Sequence, residues 1–295
     1  MINIKRAMSS ERLMRALTGL KTEQFNQLVG VFERNLEIAF KEKRKVNIKL
    51  GRDFVLKSTA EKLFYILFYL KCYPTFDLAA FMFNVDKSSC CRWSSWFMYA
   101  LELTLEKELV LPKRKVNNIE KLFQQFPEIK EIYIDGTERP IRRPKDAKEQ
   151  KENYSGKKKR HTKKNIIITT GRKVLLVSPT KAGRLHDYTI FKEENLGQAI
   201  EVEINVDTGF LGIKKDFPKL RIIMPKKKPI GKELSLEEKE NNKIKCRKRV
   251  IIENAIAGIK RLRIVTDVFR NHKKDFDDTA MLIASGLWNY YLKTA

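Results

Sequence analysis

The sequence lacks a long apolar run and the residue patterns of exported or zinc-binding proteins. Its longest apolar stretch, Leu63–Leu70, has 8 residues, too few to span a bilayer. The N-terminal residues contain no apolar core followed by a small-residue cleavage site, so we do not expect a secretory signal. The four cysteines, Cys72, Cys90, Cys91 and Cys246, have neither CxxC nor Cys/His ligand spacing. This favours reduced thiols in an intracellular protein over disulfides or zinc.

Acidic residues are scarce relative to basic ones. The 295 residues include 61 Lys and Arg against 36 Asp and Glu, a formal charge of +25, and the 42% hydrophobic content excludes a wholly disordered chain. A phosphate backbone is the obvious partner for such a charge, because each neutralised phosphate releases a counterion. An acidic membrane surface is the alternative, but the basic residues do not lie on one amphipathic helix with a Leu/Trp face. We therefore expect a nucleic-acid partner and no membrane partner.

Length and pattern together predict two domains, at roughly 150 residues each. Residues 1–112 have helical periodicity, with a regular apolar stripe in Thr22–Phe40 and a capping-box pattern at Ser58–Glu61. From Glu131 onward, short β-rich runs alternate with helical segments, which predicts a mixed α/β domain over 113–295. The predicted strands are 131–135, 165–170, 174–178, 201–207 and 220–224, the predicted last helices are 248–265 and 277–292, and the predicted linker is 111–118.

The basic charge is concentrated in one segment. Arg139–Lys173 holds 14 Lys and Arg against 3 Asp and Glu, so it alone supplies +11 of the +25. Its first part, 142–164, is nearly devoid of apolar residues, which predicts a solvated, mobile β-hairpin or loop in the free protein. We expect this segment to become ordered on a phosphate backbone. The residues expected to contact DNA there are Lys157, Lys158, Lys159 and Arg160.

The spacing of residues 75–107 indicates a helix-turn-helix. Such motifs need a small residue within the first helix, a sharp turn, and a buried residue inside the second helix. Ala80, Asn84 and Cys90 have the required spacing, and Asn84 tolerates the left-handed turn conformation. With Asp86 capping the second helix, the residues expected to meet DNA near its start are Lys87, Ser88, Ser89 and Arg92. The alternative is an ordinary helical hairpin whose Cys, Trp and Met residues are all core.

Two aspartates end strands of matching pattern. In EIYID the isoleucines share one face, and Asp135 ends the run on the other face before a glycine. In EVEINVD the aliphatic residues share one face, and Asp207 ends the run opposite them before Thr-Gly. If the two strands pair in parallel, the carboxylates come close together at the carboxyl edge of the sheet, where α/β domains bind ligands.

A third acid lies on a predicted helix. In RKRVIIENAIAGIKRL an apolar stripe would pack on the sheet and aim Glu253 at its edge, with Arg249 and Lys260 beside it. Three carboxylates on rigid elements suit two Mg²⁺ or Mn²⁺ ions, the arrangement that serves in-line cleavage of phosphodiesters. Each acid alone is explained as a turn residue or a surface ion pair. The metal-site hypothesis therefore depends on the three together.

Four stretches resemble a known family. YIDGTERPIRRP, GRLHDYTIF, VDTGFLGI and RVIIENAIAGIKRLRI resemble DDE-superfamily insertion-sequence transposases, in the branch related to Harbinger-type elements. The resemblance covers nearly the whole chain. It implies an N-terminal helix-turn-helix domain, an RNase H-like catalytic core, binding to terminal inverted repeats, and Mg²⁺-dependent cutting and joining of DNA. It also implies that Asp135, Asp207 and Glu253 are the catalytic, metal-binding acids.

The signature around the family glutamate places Tyr, Arg, Glu and Lys at fixed spacing. Arg249, Glu253 and Lys260 match it, whereas Cys246 stands at the tyrosine position. We expect Arg249 and Lys260 to contact phosphates near the cut.

The pair His186-Asp187 also resembles a family feature. Capping of a helix that starts at Tyr188 is an ordinary role for Asp187. His186 has the chemistry of a proton carrier or a phosphate donor.

These expectations combine into one functional hypothesis with two alternatives. The hypothesis is a transposase that acts on double-stranded DNA, both element ends and target, as a homodimer or larger assembly on DNA, in the cytoplasm at the nucleoid. The first alternative is a catalytically silent or domesticated DNA-binding regulator. The second is a nuclease that hydrolyses DNA without joining strands.

Overall fold

The structure, a computed structural model, divides into two compact units. It describes residues 2–43, 54–114, 123–124, 127–193 and 202–295. The first unit comprises Met1–Leu111, Ile259–Asp267 and Thr279–Ala295, and the second comprises Pro112–Gly258 and Val268–Asp278. These units differ from the expected domains, 1–112 and 113–295, in two C-terminal segments, and the domain boundaries stay a prediction. Within the described ranges, no helix is both long and apolar enough to cross a bilayer.

The N-terminal part of the first unit is helical, as predicted. Its helices are α1 (Ile4–Met8), α2 (Glu11–Thr18), α3 (Thr22–Lys43), α4 (Thr59–Cys72), α5 (Phe76–Phe83) and α6 (Lys87–Lys107). The apolar stripe of α3 is buried, including Phe25 and Phe32. The predicted capping box begins α4, because the Ser58 hydroxyl accepts from the Glu61 N–H and the Glu61 carboxylate accepts from the Ser58 N–H.

The helix-turn-helix geometry is present in α5 and α6. Asn84 ends α5 in the left-handed conformation, with φ 53° and ψ 54°, and Cys90 is fully buried in α6. Two details of the prediction are wrong. The small residue buried in α5 is Ala79, whereas Ala80 is only half-buried. Asp86 precedes α6, but its side chain makes no capping hydrogen bond.

The second unit contains a mixed sheet, as predicted. Its elements in chain order are β1 (Glu131–Pro140), α7 (Ala147–Asn153), β2 (Tyr154–Ser155), β3 (Arg160–Thr170), β4 (Lys173–Val177), β5 (Lys181–Ala182), α8 (Asp187–Glu193), β6 (Glu203–Asn205), α9 (Ile213–Asp216), β7 (Arg221–Ile223) and α10 (Leu236–Ile259). The main path across the described strands is β2-β3-β1-β6-β7, and β4 and β5 also pair with β3. Strand β3 is antiparallel to β1 and β4, while β6 is parallel to β1 and β7. This mixed sheet agrees with the RNase H-like core that the resemblance implies.

Several element boundaries differ from the predicted ones. Strand β1 does not end at Asp135 but runs on to Pro140, because β3 pairs with it over that whole stretch. The basic segment contains a short β2–β3 hairpin, in line with the predicted β-hairpin or loop, and also helix α7, which was not predicted. Helix α10 starts earlier than predicted and ends at Ile259. Residues 115–118 of the predicted linker and Glu201 of the predicted strand lie outside the described residues.

The core of the second unit follows the alternation of the strands. Ile132 and Ile134 of β1 are buried together with Ile204 and Val206, so one face of the sheet is apolar along both strands. Burying that face fixes the register, because a slip of one residue would turn every side chain to the other side. The polar residues between these aliphatics therefore share the opposite face.

The last helix contributes to the core of the first unit. Helix α11 (Phe276–Lys293) corresponds to the predicted helix 277–292. Its Asn289 amide donates to the Val110 carbonyl at 2.9 Å, and its Tyr290 hydroxyl donates to the Gln24 carbonyl at 2.9 Å. These buried hydrogen bonds are non-local in sequence, which explains why local patterns did not predict them.

Candidate active site

Asp135 and Asp207 are brought together by the parallel pairing of β1 and β6. The register pairs Ile132 with Ile204 and Tyr133 with Asn205, so each aspartate stands two residues beyond a matched pair. The two carboxylates are close enough that Asp207 raises the pKa of Asp135. The structure therefore places these two predicted site residues next to each other at the carboxyl end of β6.

The two aspartates are held differently by the backbone. Asp135 lies within a continuous strand, and its Oδ1 accepts from the N–H of Gly136 at 2.8 Å. Asp207 follows its strand and precedes a 3₁₀ turn, and its Oδ1 accepts from the N–H of Gly209 at 2.8 Å. In each case one carboxylate oxygen is fixed by a nearby amide, which restricts the direction of the other oxygen.

Asp135 lies in an electrostatically unusual position. The pKa of Asp135 is raised to about 6, with burial as the largest cause and the negative charges of Asp207 and Asp187 acting in the same direction. Arg249 opposes this shift, since a guanidinium nitrogen lies 3.4 Å from Asp135 Oδ2. A carboxyl with a strongly shifted pKa beside a second carboxylate is a typical feature of functional sites.

Arg249 therefore contacts an acid of the site directly. Its side chain is 14% exposed, and its Nε is buried without a hydrogen-bond partner within the described part of the chain. The expected contact with phosphates near the cut stays a prediction, because no DNA is present. The ion pair with Asp135 shows that Arg249 is already oriented toward the site.

Glu253 is the third acid of the predicted site. It lies on α10 one turn beyond Arg249, on an exposed position, while the apolar residues Ile252 and Ala255 are buried as the stripe predicts. Among the residues that the structure describes, no three His, Cys, Asp or Glu side chains are arranged so that they could hold a metal ion. The assignment of Glu253 as the third metal-binding acid stays a prediction, and Arg249 is a residue of α10 that contacts Asp135.

Asp187 is the residue whose position sequence reasoning missed. Helix α8 begins at Asp187 itself, so the expected capping of a helix that starts at Tyr188 is wrong. Its carboxylate instead lies against Gly136 of β1 and 3.1 Å from the Lys164 ammonium group. Its neighbour His186 is exposed. The HDY pattern, which resembles a family feature, was the one sequence signal that pointed to Asp187.

The remaining residues of the family signature lie on or after α10. Cys246, at the tyrosine position, is exposed on the helix, one turn before Arg249. Lys260 follows the last residue of the helix and belongs to the first unit. The phosphate contact expected of Lys260 stays a prediction.

The predicted DNA-contacting residues of the helix-turn-helix lie at the start of α6. Lys87, Ser88 and Arg92 are exposed, and Ser89 is half-buried. Lys87 forms an ion pair with Asp77 at 2.8 Å, and Arg92 donates to the Ser89 hydroxyl at 3.2 Å. Exposed ion pairs of this kind contribute little stability, so Lys87 can exchange Asp77 for a phosphate at low cost.

The basic run of the second unit forms the turn between β2 and β3. Its residues Lys157, Lys158, Lys159 and Arg160 are all exposed. The turn is closed by the Lys159 N–H, which donates to the Ser155 carbonyl at 2.8 Å. The three lysines of the turn and the adjacent Arg160 at the start of β3 form a compact basic surface that suits a phosphate backbone.

The sequence is similar to known proteins over both units. A sequence model of the family described as DDE superfamily endonuclease matches residues 134–289, and one described as helix-turn-helix of DDE superfamily endonuclease matches residues 55–107. A "Probable transposase for insertion sequence element IS702" from Microchaete diplosiphon is 28% identical over 284 residues, which cover 95% of each chain. No solved structure matches. The Harbinger-related branch is not distinguished by these similarities and stays a prediction.

Proposed function

Because the chain belongs to the DDE superfamily endonucleases, an enzyme class of nucleases and transposases, we propose that it is the transposase of an insertion sequence. In this proposal it binds the terminal inverted repeats of its element, cuts the DNA there and joins the freed ends to target DNA. The observation that carries the proposal is the shared register of Asp135 and Asp207 on adjacent parallel strands. Because its substrate is DNA, its place of action would be the nucleoid.

Charge and motif support DNA as the substrate. The chain carries a formal charge of +25, and a helix-turn-helix places exposed Lys87 and Arg92 near the start of α6. Recognition helices meet base edges and phosphates with the residues of their first turns. The basic turn of the second unit, Lys157–Arg160, would bind the backbone without reading sequence.

Asp135 and Asp207, joined by Glu253, would hold two Mg²⁺ or Mn²⁺ ions. The donor chemistry fits, because adjacent carboxylates offer the hard oxygen ligands that these ions prefer. Burial raises the pKa of Asp135 and the negative charge of Asp207 adds to this shift, and a bound cation would offset both effects. When bound, such ions would activate an attacking oxygen and stabilise the leaving oxygen. Arg249 would keep Asp135 charged and oriented, because its guanidinium lowers the pKa of that carboxyl.

A homodimer or larger assembly on DNA completes the proposal. Two element ends must be held together before they are joined to a target, and one helix-turn-helix per chain reads one end. The resemblance to transposases supports an assembly of this kind.

The decisive experiment uses DNA that carries the inverted repeats flanking the gene. The full-length protein, Mg²⁺ and end-labelled DNA should yield cleaved ends and, with target DNA, joined products. Asp135→Asn should abolish both products and leave DNA binding intact. Asp275→Asn is the matched control, because Asp275 is exposed in the same unit and has a positive φ of 58° that asparagine tolerates.

The same experiment separates the two alternatives. Binding without any cleavage supports the non-catalytic regulator. Cleavage without joined products supports the hydrolytic nuclease. Full activity of Asp135→Asn would exclude the assigned role of that carboxylate.

A further inference from the structure

A cavity of about 730 Å³ opens in the second unit, within the basic segment. This volume lies within the roughly 300–1,000 Å³ typical of ligand-binding pockets. Its lining side chains include three cations, one amide and two rings: Arg143, Lys151, Arg184, Gln150, Tyr154 and His161. None of the described residues that line it is acidic. The cavity is thus a cationic and aromatic pocket.

Hydrogen bonds hold the wall of this pocket in place. Gln150 on α7 accepts from Arg143 Nε at 3.0 Å and donates to the Pro144 carbonyl at 2.9 Å. The N–H of Arg184 donates to the Glu152 carbonyl at 3.1 Å. These bonds join three chain segments, so the pocket is built by tertiary structure and not by one loop.

The aromatic floor comes from the β2–β3 ladder. Tyr154 pairs with His161, and their rings meet edge to face with centroids 5.6 Å apart. Tyr154 keeps 42% of its surface exposed, although its neighbour in the strand, Ser155, is buried. An aromatic ring left partly exposed beside cations fits a ligand that has both a planar ring and a negative charge.

A nucleotide of DNA combines those two features. A base inside a duplex presents only its edge to a protein, whereas an unstacked base offers its face to an aromatic ring. Arg143, Lys151 and Arg184 would then neutralise the phosphates on either side of that base. A paired duplex would need only a basic surface, and its stacked bases would not contact the exposed Tyr154 ring.

The pocket lies away from the carboxylates. Ile167 pairs with Asp135, and His161 is six residues before Ile167 along β3. At about 3.3 Å per residue this separation is about 20 Å. DNA at the pocket is therefore several nucleotides from DNA at the acids.

We propose that this pocket binds one unstacked nucleotide of the DNA strand at a distance from the site of cleavage. The base lies on Tyr154, and the flanking phosphates contact the surrounding cations. This proposal rests on the proposed function, because it takes DNA as the substrate. It adds that the protein recognises distortion of DNA as well as sequence.

The test measures binding of the full-length protein, by fluorescence anisotropy, to three duplexes of one sequence. The first is fully paired, the second carries one bulged adenosine, and the third carries an abasic site at the bulge. We expect the adenosine bulge to bind about ten-fold more tightly than either of the others, as one stacked base on an aromatic ring provides. Tyr154→Phe should keep this preference, and Tyr154→Ala should remove it.

Lys158→Ala is the matched control. Lys158 lies on the adjacent turn but does not line the pocket, so its loss should weaken binding to all three duplexes equally. In Tyr154→Ala, by contrast, the preference for the adenosine bulge should disappear. Its affinity for the paired duplex should stay within about two-fold of wild type, since only stacking is lost.

The outcomes separate this proposal from the proposed function. Equal binding to the three duplexes by the unmodified protein would overturn the pocket assignment and leave the DNA-binding function standing. Failure to bind any duplex would overturn both. If the abasic bulge bound as tightly as the adenosine bulge, the assignment to an unstacked DNA base would be overturned. The same would follow if free dAMP bound tightly in a Tyr154-dependent way while bulged DNA was not preferred.

Discussion

The carboxylate of Asp187 lies against the α carbon of Gly136, in the place where any other residue would have its Cβ. A Cβ built on Gly136 would be 2.5 Å from the Asp187 carboxyl carbon, closer than real contacts allow. Lys164 fixes the carboxylate there, with its ammonium 3.1 Å from Asp187 and 3.4 Å from Glu138. The glycine after Asp135 thus serves close packing inside a strand, and not the turn that the Asp-Gly sequence suggests.

Gly136→Ala should destabilise the protein. The new methyl group must push the Asp187 carboxylate away from Lys164, and overpacking of this kind costs about 1–3 kcal/mol. Urea unfolding measures the loss. In the Asp187→Ala background the same substitution should cost much less, because the clashing carboxylate is gone. Additive costs in this double-mutant cycle would contradict the contact.

Asp135 gives the metal-free protein a distinctive pH dependence. Its pKa is about 6 in the folded protein, against an ordinary value of 3.8, so the folded state holds this proton more tightly than the unfolded chain. The free energy of unfolding should therefore fall by about 2–3 kcal/mol from this group as the pH rises from about 4 to about 6. Urea unfolding with a chelator measures it, and Asp135→Asn should remove this part of the slope. An identical slope in the variant would contradict the assignment.

Two neighbours of Asp135 should move that transition in opposite directions. Arg249→Gln removes a cation that lowers the pKa of Asp135, so the transition should move to higher pH. Asp207→Asn removes a negative charge that raises this pKa, so the transition should move to lower pH. Carboxyl chemical shifts of Asp135 followed by NMR give the direct measurement. Shifts of the same sign in both variants would show that the electrostatic account is wrong.

Sequence patterns predicted that Asp135 and Asp207 lie close together, which depends on strand register. Alternating aliphatic residues in EIYID and EVEINVD determine which face of each strand is buried. With that face buried, Asp135 and Asp207 lie on the opposite face at matching positions of the two strands. The bounds of α6 and the capping box of α4 followed equally from local chemistry. The residues that determine α6 and the capping box are close in sequence, whereas the matched positions of Asp135 and Asp207 also require the pairing of β1 with β6.

The features that sequence reasoning missed either lack an apolar pattern or depend on distant contacts. Helix α7 has no apolar stripe for periodicity to detect, although its N-terminal cap is local, since the Asp146 carboxylate accepts from the Glu149 N–H at 2.9 Å. The contact between Asp187 and Gly136 joins residues far apart in the chain. The ion pair between Arg249 and Asp135 depends on how α10 is rotated about its axis, which an apolar stripe fixes only within a broad arc.

The turn of the helix-turn-helix should accept glycine but not a β-branched residue. Asn84 has φ 53° and ψ 54°, a conformation that glycine adopts freely and valine strongly disfavours. Asn84→Gly should change the free energy of unfolding by less than about 0.5 kcal/mol, and Asn84→Val should lower it by about 1–2 kcal/mol. Thermal unfolding measures both, and equal stability of the two variants would exclude the left-handed turn.

Arg139 is a buried cation whose loss should be costly. It is 3% exposed and donates to the Asp277 carbonyl at 2.6 Å, to Asn165 at 2.8 Å and to Thr180 at 2.9 Å. Arg139→Met keeps most of the volume but leaves these buried acceptors unpaired, and removal of one partner from such a network costs about 3–5 kcal/mol.

Arg142→Met, at an exposed position three residues away, is the matched control and should stay within about 0.5 kcal/mol of wild type. Chemical unfolding of the two variants distinguishes the buried network from a general effect of lost charge. If Arg139→Met were as stable as Arg142→Met, the network would contribute specificity of packing but no net stability, and the order of this part of the second unit would have to come from the apolar core alone.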